Sequence, residues 1–135
     1  MHLSVIPASH VDKAWKDGAA CLAKACEASG GEITGDQLKM ILARGERTLV
    51  ALVDDDKPIG WGVWRIDQLP NVRVLHCTDL VAPNANFEAF FFALKQAAES
   101  YGCSEIRCCA KPAQARLYRM KLGMKPLYET LRYEL

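Results

Sequence analysis

Apolar positions along the first thirty residues alternate between two periods. Leu3 to Ile6 is a short apolar run closed by Pro7, and predicts a strand. Val11, Trp15, Gly18, Leu22 and Cys26 then recur at three- and four-residue steps, which predicts one helix from Ser9 or His10 to about Ser29, stopped by Gly30-Gly31. A second helix is announced by Thr34-Gly-Asp-Gln37, the pattern of a capping box, with Leu38, Ile41 and Leu42 inward and Gly45 at its end.

The period then shortens. TLVALV (48–53) and PIGWGVWRI (58–66) are apolar and partly β-branched, and DDDK (54–57) between them reads as the turn of an antiparallel hairpin. Gly60 and Gly62 weaken that second strand and predict a bulge or a close backbone approach. RVLHCTDLV (73–81) predicts a third strand, broken by Pro83. FEAFFFALKQAAESYG (87–102) predicts a helix that is apolar on nearly all sides in its first half and so is buried against a sheet. SEIRCCA (104–110) reads as a strand, and Pro112 fits the first position of a helix that ends at Gly123. LYETLRYEL (127–135) predicts a last strand with Leu127, Leu131, Tyr133 and Leu135 on one face. The order β-α-α-β-β-β-α-β-α-β predicts an α/β protein with helices on both faces of its sheet, in one domain spanning residues 1–135.

Composition narrows the function. A formal net charge of +1 without a basic run argues against a nucleic-acid partner or an anionic membrane. No apolar run is long enough to span a bilayer, and no signal peptide is visible, so the expected location is cytoplasmic. Of the six cysteines none forms a C-x-x-C pair and no histidine stands at a finger-like spacing, so they read as small buried hydrophobes in a reduced compartment rather than as metal ligands.

The segment from Thr48 to Leu135 resembles the GCN5-related N-acetyltransferase (GNAT) superfamily. VALVDDDKPIGWGVWRI looks like that family's hairpin, Val81-Ala-Pro83 resembles the V-x-P that ends its central strand, and ARLYRMKLGMKPLYE resembles its late A-x-x-L-Y-x-x-x-G-F helix, with Leu117, Tyr118 and Gly123 matching and Met124 in place of the phenylalanine. The resemblance implies a central mixed β-sheet flanked by about four helices, acetyl-CoA as cosubstrate, and transfer of an acetyl group to a primary amine on a small molecule or peptide. It implies Tyr118 as the acid that protonates the departing thiolate, and His76 or Asp79 as the base, with water relaying the proton as the open alternative. In an unbulged strand His76 and Asp79 face opposite sides, so only one of them meets the amine.

The family's phosphate loop, R/Q-x-x-G-x-G/A, falls on Asn86, Ala89 and Phe91, so both glycine positions and the basic one are replaced. A helix N-terminus still offers free N–H groups and a partial positive charge. The resemblance implies that the main chain at Leu80, Val81 and Ala82, where the family's strands splay, pairs with the pantetheine arm, and the capping side chains of Asn84 and Asn86, with Phe87 and Ala89, complete the expected cofactor contacts. Trp15, Trp61 and Trp64 either wall the acceptor cleft or fill the core, and Arg116, Arg119 and Lys121 either meet a phosphate or form a solvated helix face. Two other readings stand beside the enzyme: a non-catalytic GNAT-like module, such as a phage or accessory protein, and a homodimer in which LYETLRYEL pairs with its twin.

Overall fold

The computed structural model describes residues 1–28, 30–83 and 86–135. Five strands form one sheet in chain order: β1 (His2–Ile6), β2 (Thr48–Asp54), β3 (Lys57–Gln68), β4 (Arg73–Val81) and β5 (Glu105–Cys108). The first four pair antiparallel, and β5 lies parallel to β4. A parallel neighbour requires a crossover, and α4 (Phe87–Ser100) supplies it.

The long first helix expected from the sequence is broken into pieces. Helix α1 covers Val11–Lys16 and α2 covers Leu22–Glu27, each preceded by a single 3-10 turn. The break is at Gly18, whose φ of 135° lies outside the helical region. An added Cβ there would stand 3.3 Å from Trp61 Nε1, so the chain turns where the indole of β3 comes against it. The apolar stripe survives the break, because Val11, Leu22 and Cys26 are all buried. Helix α3 (Gly35–Ala43) has the expected capping box: the Gln37 N–H donates to Thr34 Oγ1 at 3.2 Å and the Thr34 N–H donates to Gln37 Oε1 at 2.9 Å.

The core divides at the sheet. Leu49, Ala51, Trp61 and Val63 point to one face and pack with α1, α2 and α3. Val50, Leu52, Trp64, Leu75 and Cys77 point to the other and pack with Phe90, Leu94 and Ala98 of α4. The alternation of β2 and β3 thus feeds two cores. Gly60 and Gly62 answer to both expectations made of them. Between β2 and β3 the register shifts, with Leu52 opposite Gly60 and Val53 opposite Pro58, so Ile59 bulges. Phe90 lies so close over Gly62 that an added Cβ would meet its ring at 2.8 Å.

The last expected strand does not form. Helix α5 (Pro112–Leu122) ends at Gly123 in the left-handed region, and residues 123–135, all of them described, pair with no strand. Their apolar side chains stand in solvent, Leu131 at 85% and Tyr133 at 89% exposure. Alternation alone does not make a strand: ladder bonds need a partner, and this segment has none among the described residues.

Candidate functional site

β4 and β5 share their ladder only from Val74 opposite Glu105 to Cys77 opposite Cys108. From Thr78 to Val81 the side of β4 that faces β5 has no strand partner. The two parallel strands therefore open at their carboxyl ends, the place where α/β sheets hold ligands. A cavity of about 420 Å³ fills this opening. Its walls are Cys77 to Leu80 of β4, Phe87, Phe91 and Leu94 of α4, and Ile106, Cys108 and Cys109 at β5. Lys111, Gln114 and Tyr118 close it from α5, and Ala25, Ala28 and Glu32 from the other layer.

A bulge in β4 sets what faces where. Val63 pairs with Asp79 and Trp64 with Cys77, so Thr78 is the extra residue. This overturns the expectation that His76 and Asp79 diverge. His76 lies between Leu75 and Cys77, which point into the α4 core, and so faces the α1–α3 side. The bulge shifts the alternation by one, and Asp79 falls opposite Val63 on that same side.

Asp79 lines the cavity with its side chain only 10% exposed, 3.9 Å from the Arg47 guanidinium. The Thr78 hydroxyl donates to Asp79 Oδ2 at 2.8 Å. His76 is half-buried and does not line the cavity. Burial, followed by the nearby Arg65 guanidinium, holds its imidazole below the ordinary histidine range, so it is neutral at pH 7.

Tyr118 is half-buried on the cavity wall, its ring 6.3 Å from that of Phe87. Burial raises its phenol above the ordinary value, with the Cys108 and Cys77 thiols adding to the effect. The phenol is therefore protonated at neutral pH and able to donate. Cys77 is pushed up to about 12, mainly by burial. Of the six cysteines, Cys26 and Cys77 are buried, Cys21, Cys103 and Cys108 are half-buried, and Cys109 is exposed. Among the described residues no group of three metal-ligating side chains converges.

The expected cofactor contacts divide. Leu80 and Phe87 line the cavity. Val81 packs into the α1–α3 core and Ala82 into the α4 core. Asn84 lies outside the described residues. Asn86 takes the N-cap position of α4, but its side chain makes no capping bond, because its backbone is helical (φ −113°, ψ −3°) rather than extended. Ala89 is half-buried and off the cavity wall. Phe90, not Phe91, is the core residue of this turn, and Phe91 stands in the cavity wall. Trp61 and Trp64 are core and Trp15 packs against it, while Arg116, Arg119 and Lys121 are exposed.

Sequence reading missed Lys111, Gln114, Glu32 and Cys109. The signal for the first two was the Lys111-Pro112 pair after an apolar run, which opens α5 at the carboxyl end of β5. The cavity thus receives the starts of two helices, α4 and α5, with Lys111 as N-cap of the second. Glu32 is brought in from a loop about forty residues before β4, a distance that no local pattern bridges.

These features define the fold of GCN5-related N-acetyltransferases: an antiparallel meander, a helical crossover, and a parallel pair that splays over a cavity. Among solved structures, the chain superposes over its full length on 97% of a probable acetyltransferase, with TM-score 0.71 and 17% identity. It superposes equally fully on a ribosomal-protein-alanine N-acetyltransferase from Brucella melitensis biovar Abortus 2308, covering 100% of that chain, with TM-score 0.70 and 12% identity. An aminoglycoside acetyltransferase from an uncultured soil metagenomic sample, solved with trehalose, matches 98% of this chain and 95% of its own, with TM-score 0.68 and 13% identity. No protein-family model and no curated protein sequence matches the chain. Among the described residues no helix is long and apolar enough to cross a membrane.

Proposed function

We propose that this chain is an acetyl-CoA-dependent N-acetyltransferase acting on a primary amine, its 135 residues forming one catalytic domain. The observation that carries the reading is the cavity at the splayed carboxyl ends of β4 and β5, with Tyr118 on its wall. The residues present suit the cosubstrate. The main-chain groups of Thr78 to Val81 on the side away from β3 are available to an amide-bearing arm, and the starts of α4 and α5 with Lys111 offer N–H groups and positive charge to phosphates. Lys111 thereby supplies a cation that the glycine-free α4 loop lacks. Bound acetyl-CoA brings the activated thioester.

The protein's own contribution begins with orientation, since holding two reactants together lowers the barrier by proximity. Asp79, on the cavity wall, is better placed than His76 to accept the proton of the acceptor ammonium. The Thr78 hydroxyl and Arg47 fix its carboxylate. Tyr118 donates its phenolic proton to the departing thiolate. Glu32, on the opposite wall, adds negative charge that favours a cationic acceptor.

Phe91 favours a second reading, a GNAT-fold protein without turnover, because its ring occupies the wall where the family has a small residue. One titration separates the two. Acetyl-CoA at about a hundred times its dissociation constant stabilises by about 2.7 kcal/mol, which in a domain of this size raises the Tm by roughly 10 °C. No shift at millimolar acetyl-CoA removes the enzyme reading. A shift that appears only in Phe91→Ala assigns the chain to the second.

A further inference from the structure

The sheet face that carries Asp79 changes character one step beyond the cavity. Helices α1, α2 and α3 pack on Leu49, Ala51, Trp61 and Val63. The next residue of β3 on that face is Arg65, since Trp64 and Ile66 pack toward α4. Arg65 stands opposite His76, and His76 opposite Arg107. Arg107 shares their face, because Ile106 and Cys108 pack toward α4. Arg47, one residue before β2, brings its guanidinium to within 3.9 Å of Asp79. Three guanidinium groups and an imidazole thus crowd one side of the sheet.

Like charges held across neighbouring strands are unfavourable on their own. Their partners within the chain are incomplete. Arg65 Nε donates to both oxygens of Asp67, at 3.1 and 3.2 Å, and Arg107 Nε donates to Glu105 Oε2 at 2.9 Å. The remaining N–H groups of both guanidinium forks meet no acceptor among the described residues. Arg65 is 39% exposed and Arg107 only 22%, so these donors are neither freely solvated nor paired. The three arginines, set against Asp67 and Glu105, leave one positive charge beside His76. Asp79 supplies one negative charge at the cavity wall.

We propose that this row is a second anchor for the acceptor, and that the amine presented to Asp79 belongs to a molecule ending in a carboxylate. The inference rests on the acetyltransferase reading above. The ammonium lies against Asp79, the carboxylate accepts from Arg65 and Arg107, and Arg47 stands between the two ends. The strands set the spacing. Val63, opposite Asp79, and Arg65, opposite His76, are two residues apart on β3, or about 7 Å. A chain of about five carbons spans that distance. A carboxylate fits better than a phosphate, because only one positive charge lacks a counter-charge there. The Thr78 bulge makes the arrangement possible: without it Asp79 would face α4, and the two ends of the ligand would need opposite sides of the sheet.

Acetylation of 6-aminohexanoate and of pentylamine, followed by mass spectrometry, tests this. Removing the carboxylate leaves the basicity of the amine almost unchanged. For the acid, kcat/KM is expected to exceed that of pentylamine by about tenfold or more, the worth of charge-assisted hydrogen bonds. β-Alanine is too short to reach the row and is expected to gain nothing over ethylamine. In Arg65→Gln/Arg107→Gln the advantage of 6-aminohexanoate is expected to vanish, through KM rather than kcat. Three results overturn this inference alone: equal rates for acid and amine, an advantage that survives in the variant, or acetyl-CoA binding with neither compound acetylated. The absence of both a thermal shift with acetyl-CoA and any thioester consumption removes the enzyme reading, and the acceptor row with it. If the variant fails to fold, the acid-to-amine ratio of the parent and its dependence on chain length decide.

Discussion

The ring of Phe90 lies in the space that a side chain at Gly62 would occupy. Its Cζ would stand 2.8 Å from an added Cβ, closer than carbon atoms pack. Phe90 is fully buried, so it has no free direction in which to yield. The crossover helix therefore sits at its observed depth because β3 has no side chain beneath it, and the position of α4 in turn sets the wall formed by Phe87 and Phe91.

Gly62→Ala is expected to destabilise by about 1–3 kcal/mol, the usual cost of overpacking a filled core. Urea unfolding measures it. Adding Phe90→Leu to that variant should recover part of the loss. Additive effects in the double-mutant cycle would show that the two positions do not compete for space.

Tyr118→Phe is expected to lower kcat by about a hundredfold while acetyl-CoA affinity is unchanged, since general-acid catalysis contributes factors of that order. Product formation followed by mass spectrometry, with calorimetric titration of the cofactor, reads both quantities. Equal rates in the two proteins would take the phenol out of the chemistry.

Asp79→Asn keeps the shape of the side chain and the bond from the Thr78 hydroxyl but loses the proton acceptor. Turnover should fall by about a hundredfold, and His76→Gln should cost far less, because His76 stands off the cavity. The opposite ranking would make His76 the base.

Alkylation with iodoacetamide at pH 8 should reach Cys109 first, since it is exposed on the cavity rim, and Cys77 last. Cys77 is buried, and its thiol, at about 12, is almost wholly protonated at that pH. Peptide mapping gives the order. Acetyl-CoA should slow the labelling of Cys109. Labelling that ignores the cofactor would place the cofactor elsewhere.

The pH dependence of stability carries the sign of the His76 shift. Its folded-state pKa lies below the unfolded value near 6.5, so between the two the unfolded chain binds more protons. Stability is therefore lost as pH falls below about 6.5. Urea midpoints at pH 7.5 and pH 5 should separate more in the parent than in His76→Gln, and equal separations would assign the loss to other groups.

Local chemistry was legible in the sequence wherever a few neighbouring residues decide the outcome. The Thr34–Gln37 capping box, the hairpin around the Asp55-Asp56 turn, and the end of α5 at Gly123 each rest on short-range bonds or backbone sterics. The two-faced core followed from period-two alternation in β2 and β3. Three outcomes required the assembled chain. Gly18 broke a helix that its apolar stripe predicted, because Trp61 comes against that turn. Thr78 bulged and brought Asp79 to the same face as His76, since register belongs to a pair of strands and not to one. Lys111 and Glu32 met at one cavity although nearly eighty residues separate them. Periodicity names the faces of an element, but only packing against a partner decides which faces meet, and the residues 127–135 carry a strand's pattern without a strand partner among the described residues.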